Sequence, residues 1–163
     1  MLIELELMFL AALCIIPTLF FGAVSDVKWR MFPKDYWNWP AKIAGVIVFI
    51  EYLVMLSNHE YADAAILIAI SIICSIIFYS CGLAFGSGGD WRALIYIVWI
   101  TPALIFGTLF FALIIGAVQG VYALMQPEDE IEPVPIAFRT IPFAVAICGG
   151  YICAIILAVY LAW

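Results

Sequence analysis

Residues Ala64–Leu94 read AAILIAISIICSIIFYSCGLAFGSGGDWRAL. From Ala64 to Phe85 no side chain carries a charge, and as a helix the run is long enough to cross a bilayer core of about 30 Å. Glycines then gather at Gly82, Gly86, Gly88 and Gly89, ahead of a single carboxylate, Asp90. Glycine is a poor helix former, so regular helix is expected to fail between Gly82 and Gly89. The stretch therefore implies a membrane span that delivers an acid at its end.

The rest of the chain has the same character. Of its 163 residues 68% are hydrophobic and 11% charged, too little polar surface for a water-soluble domain and the signature of membrane helices. The net charge of −6 sits at Glu4, Glu6 and the acids of Glu128–Glu132, so it describes loops rather than a binding field. No basic patch offers itself to nucleic acid. The five cysteines, Cys14, Cys74, Cys81, Cys148 and Cys153, all lie in apolar runs without a Cys-x-x-Cys pair, and read as small buried apolar residues. The amino terminus, MLIELELMFLAAL, has two glutamates and no cation, which favours a retained span over a cleaved secretory signal.

Taken in order, Leu7–Val24 is the first uncharged run, with Pro17 as a tolerated kink. Lys28, Arg30 and Lys34 follow, the densest cationic cluster in the chain, amid Trp29, Tyr36, Trp37 and Trp39. By the positive-inside rule this loop is cytoplasmic and the amino terminus outside, with the aromatic residues as an interfacial belt. Phe32-Pro33 forces a turn or an extended segment. Tyr36–Leu56 is the second span; Lys42 can snorkel to the cytoplasmic end, and Glu51 is expected near the outer headgroups. Ser57–Asp63 is an outer loop holding the only histidine, His59, to which no role is assigned. Ala64–Phe85 crosses back and brings Asp90 to the face that already holds Asp26.

Ala93–Met125 is uncharged but too long for one crossing, and Thr101-Pro102 offers the break. We expect a short fourth helix, Arg92–Ile100, and a fifth span, Ala103–Met125; one long tilted helix is the alternative. Gln126–Arg139 is a polar connector, and Thr140–Trp163 the last span, in which Gly149-Gly150 permits close helix approach. The expected architecture is a single all-α polytopic membrane domain over residues 1–163. It has about six transmembrane helices, the fourth short and followed by a proline break, with five as the alternative.

Ionisable residues at membrane depth are costly and hence functional candidates; Asp26, Asp90 and Glu51 qualify. Asp26 and Asp90, on one face, could form a carboxylate dyad sharing one proton. One acid would then activate water while the other polarises a scissile carbonyl, with no metal or cofactor required. Gly86, Gly88 and Gly89 would let an extended substrate strand come close. The residues alone admit a second reading, in which Asp26 with Lys28 and Arg30 is a solvated loop and Asp90 with Arg92 an exposed turn.

Asp26-Val27-Lys28-Trp29-Arg30-Met31-Phe32-Pro33 resembles the first motif of type IV prepilin peptidases, Asp-x-Lys/Arg-x-Arg-x-Ile/Val-Pro. Ser87-Gly88-Gly89-Asp90-Trp91-Arg92-Ala93-Leu94 is similar to their second, Gly-x-Gly-Asp-x-Lys-x-Leu. The motif separation, the span count and Pro142-Phe143 at the opening of the last helix also resemble that family, so the likeness covers nearly the whole chain. Ser87, Trp91, Phe32 and Lys34 depart from the commoner residues. The resemblance implies an aspartic endopeptidase of the prokaryotic plasma membrane, cutting leader peptides from pilin-like or archaellin precursors at the cytoplasmic face. By position Asp26 and Asp90 would be the catalytic pair. Gly88, Gly89, Lys28, Arg30 and Arg92 would position substrate or lipid headgroups. The expected form is the short one, as in archaeal preflagellin peptidases, without the methyltransferase segment of long bacterial members. Presenilin-like proteases share Gly-x-Gly-Asp, but their first aspartate lies deeper in a helix than the loop position expected for Asp26. Outside these families, a membrane scaffold or transporter subunit could use the same acids for protons or a partner's cations.

Overall fold

The computed structural model describes residues 2–29, 39–85, 88–125 and 143–162. They form α1 (Leu2–Trp29), α2 (Trp39–Ser57), α3 (Tyr61–Phe85), α4 (Gly88–Ile100), a 3-10 turn (Pro102–Leu104), α5 (Ile105–Met125) and α6 (Phe143–Ala162), with no strand among the described residues. Five of the helices are long and apolar enough to cross a membrane, while α4 contributes only the short apolar stretch Trp91–Ile100. At 13 residues α4 is about 20 Å long, well short of the bilayer core. The chain is an all-α, multi-pass membrane protein.

The short helix is the centre of the bundle. Ala93, Leu94, Ile97 and Val98 are fully shielded, and α4 touches α1, α2, α3 and α6. The outer helices carry the opposite pattern. Ile66, Ile72, Ile73, Ile76 and Ile77 of α3 and Phe106, Phe110, Leu113 and Val118 of α5 are exposed, as expected where lipid, not protein, covers the surface.

Helix α4 ends at the Thr101-Pro102 step. A residue before proline is pushed out of the helical region, and Thr101 takes φ −141° and ψ 68°. Pro102 also has no N–H for the carbonyl of Val98, four residues back. That carbonyl is satisfied by the Ser71 hydroxyl of α3 at 3.0 Å, which shares its hydrogen with the Leu67 carbonyl at 2.9 Å. Further down, Phe78 of α3 stacks on Trp91 of α4, with ring centroids 6.1 Å apart. Ser71 pairs with Val98 and Phe78 with Trp91, so the partner numbers fall along one chain as they rise along the other. Helix α4 runs antiparallel to α3.

Two other junctions matter for topology. Between α2 and α3, Glu60 N–H donates to Met55 O at 2.9 Å and His59 N–H to Leu56 O at 3.2 Å, with His59 at φ 64°. This is a Schellman cap with histidine in the left-handed position that glycine usually fills. His59 thus has a structural task that its sequence did not announce. Helices α5 and α6 meet over small residues: Gly107 faces Ala154, Gly150 faces Thr108 and Ala112, and Gly116 faces Ala146 and Phe143. That order makes them antiparallel.

Several expected boundaries move. Helix α1 continues through Trp29, so Asp26 lies within it rather than in a loop, because Val24–Trp29 contains no breaker. Gly82 is helical in α3, and Gly88 and Gly89 are helical in α4; Gly86 and Ser87 lie outside the described residues. Tertiary packing outweighs the modest helix penalty of single glycines here. The connector Gln126–Arg139 and the expected turn at Phe32-Pro33 also lie outside the described residues.

Candidate functional site

Successive spans alternate in direction, so the end of α1 and the start of α4 reach the same face. Asp26 is in the last turn of α1 and Asp90 in the first turn of α4. The two helices pack directly on one another. Ala23 of α1 and Ala93 and Leu94 of α4 belong to one buried apolar cluster.

A common depth can be set from the middle of the bundle. The Tyr151 hydroxyl of α6 lies 3.1 Å from Thr101 Oγ1 at the end of α4 and 3.4 Å from the Ala12 carbonyl of α1. Counting along each helix from there, Asp26 is about 21 Å and Asp90 about 17 Å toward the same face. The two backbones thus stand within about one helical turn in depth. Of Asp26, Lys28, Gly88, Gly89 and Asp90 the structure describes the helical backbone; Arg30 lies outside the described residues. Arg92 is exposed. Because Asp26 is helical, the loop position expected to separate it from presenilin-like first aspartates is not seen.

Trp91, the bulky residue after Asp90, is half-buried and turned to α3, where its ring stacks on Phe78. Its indole N–H is buried without a hydrogen-bond partner among the described residues. Among those residues no cluster of metal-ligating side chains occurs.

Glu51 departs from expectation. It belongs to the buried face of α2, with Ala41, Ala44, Val48 and Met55, and is only 9% exposed. The spacing of those residues is that of one helix stripe, so packing turns the acid inward toward the bundle. Lys42 behaves as expected of an interfacial residue: it is exposed in the first turn of α2, its Nζ 4.9 Å from the Trp39 ring centre.

Sequence reading missed Ser71, Thr101 and Tyr151. A hydroxyl in an apolar run is too common to single out, although a tyrosine directly after Gly149-Gly150 sits where a neighbouring helix must be close. Compared with models of known families, with curated proteins and with solved structures, the chain matches none.

Proposed function

We propose that this protein is a membrane aspartic endopeptidase that removes the leader peptide from type IV pilin-like or archaellin precursors, working at the cytoplasmic face of a prokaryotic plasma membrane. The observation that carries the reading is the antiparallel packing of α1 on α4, with Asp26 and Asp90 at nearly one depth on one face. The two sequence motifs give the substrate class by resemblance.

The opposite helix ends divide the roles. A helix N-terminus favours negative charge and a C-terminus disfavours it, each by about 0.3–1 kcal/mol. Asp90, at the start of α4, is therefore the acid that stays ionised and takes the proton of the attacking water. Asp26, at the end of α1, holds the shared proton and donates it to the scissile carbonyl. Lys28, Arg30 and Arg92 would hold the charged leader, while the precursor's apolar helix lies against the spans in lipid.

The test is a cleavage assay on detergent-solubilised protein with pilin-like and archaellin precursors. Asp26→Asn and Asp90→Asn should each abolish cleavage while the protein stays folded. Continued cleavage in either variant would remove the dyad mechanism. A second reading, a scaffold or transporter subunit, draws on Glu51, an acid buried in the bundle away from the pair. It gains ground if the parent cuts nothing in a precursor panel that a known peptidase processes.

A further inference from the structure

Helices α1 and α4 each lose a backbone hydrogen bond to proline, at nearly the same depth. Pro17 lies inside α1 and removes the donor that the Leu13 carbonyl would have, next to Ala12. Pro102 ends α4 and removes the donor for Val98. Between these two weakened points stands the fully buried side chain of Tyr151. The Thr101 hydroxyl lies 3.2 Å from Ile97 O and 3.1 Å from the Tyr151 oxygen; when it donates to the tyrosine, the Tyr151 hydroxyl donates to Ala12 O at 3.4 Å and the chain from α4 to α1 is closed.

We infer that Tyr151 is a positioning residue, a tie between the Asp26-bearing and Asp90-bearing helices at the joints from which both swing. This rests on the peptidase reading for its purpose, though the tie itself does not. From Pro17 to Asp26 is an arm of about 14 Å, and from Thr101 to Asp90 one of about 17 Å. Proline sites are where helices bend. A change of about 10° at either joint moves the far end of such an arm by about 2–3 Å. Two carboxylates that must share a proton at about 3 Å cannot absorb that. Ser71 fixes the same joint to α3, not to α1, so it supports α4 without coupling the two arms.

The experiment measures the arms directly. Nitroxide labels attached through p-acetylphenylalanine at positions 24 and 92 report the distance between lower α1 and lower α4. The distance is compared in the otherwise unaltered chain, in Tyr151→Phe, in Thr101→Val and in Ser71→Ala. Tyr151→Phe keeps the ring and removes the tie; Thr101→Val removes its other end and decides the matter if Tyr151→Phe does not fold. Both should broaden or shift the distance by several ångströms, while Ser71→Ala leaves it narrow. Unchanged distances in Tyr151→Phe and Thr101→Val would overturn the inference. Equal broadening in all three would also overturn it, as general loosening. In unlabelled protein the two variants should lower kcat about tenfold or more at unchanged KM. A changed distance with unchanged kcat would remove the positioning role. If the parent cleaves no precursor, the peptidase reading fails while the distances still judge the tie.

Discussion

A methyl group at position 150 would stand 2.6 Å from the Thr108 carbonyl oxygen and 2.7 Å from the Ala112 amide nitrogen, both backbone atoms of α5. Neither can move without moving the helix. At position 149 the nearest atom is the Ile115 Cδ1 at 2.9 Å, the far end of a flexible side chain. The two adjacent glycines therefore differ. Gly150→Ala should destabilise the protein by about 2–3 kcal/mol, and Gly149→Ala by less than about 1 kcal/mol, in reversible unfolding from detergent micelles. Equal costs would mean that α5 and α6 are not in backbone contact. The pair was legible in the sequence as a close-approach point; which glycine bears the contact was not, because that depends on the rotation of α6.

Among the elements, the α4–α5 break shows how far sequence reading reaches. Thr101-Pro102 marked it, because proline's missing donor and its steric effect on the preceding residue are local properties. The donor that replaces the lost one is not local: Ser71 is on another helix, 27 positions away from Val98. Ser71→Ala should cost about 1 kcal/mol, in keeping with interhelical hydrogen bonds in membrane proteins. In a Pro102→Ala background the new N–H competes for Val98, so the same Ser71→Ala change should cost appreciably less. A double-mutant cycle with full additivity would show that the serine does not stand in for proline's missing donor. The same limit explains Asp26, Glu51 and Tyr151. The last turn of α1, the inward stripe of α2 and the hydroxyl at the bundle centre are set by packing between helices. A pattern along one helix reports only that helix.

At the scale of the molecule, the antiparallel pairings count the crossings. Helix α4 runs back along α3, and the chain then reverses at Thr101–Leu104 within the bundle rather than beyond it. The reversal is set by α6: Tyr151 sits level with Thr101, yet Gly107 already faces Ala154 and Gly116 faces Ala146. Had α5 kept rising, Ala154 would stand below Tyr151 and Gly107 above Thr101, and the two could not face. Helix α5 therefore descends toward the face where α1 ends, and α6 rises from it. This puts the end of α5 and the start of α6 on the Asp26 and Asp90 side and the α2–α3 turn on the other. If α4 and α5 formed one long span instead, those ends would share a side with His59. Single cysteines at positions 59 and 129 separate these outcomes, because the native cysteines all lie within the helical spans. In intact cells a membrane-impermeant maleimide should label His59→Cys, the outer side by the charge rule, and should reach Asp129→Cys only after permeabilisation. Labelling of both from outside would instead merge α4 and α5 into a single crossing. It would also leave α6 running the wrong way to bring Tyr151 to the joint that carries Asp90.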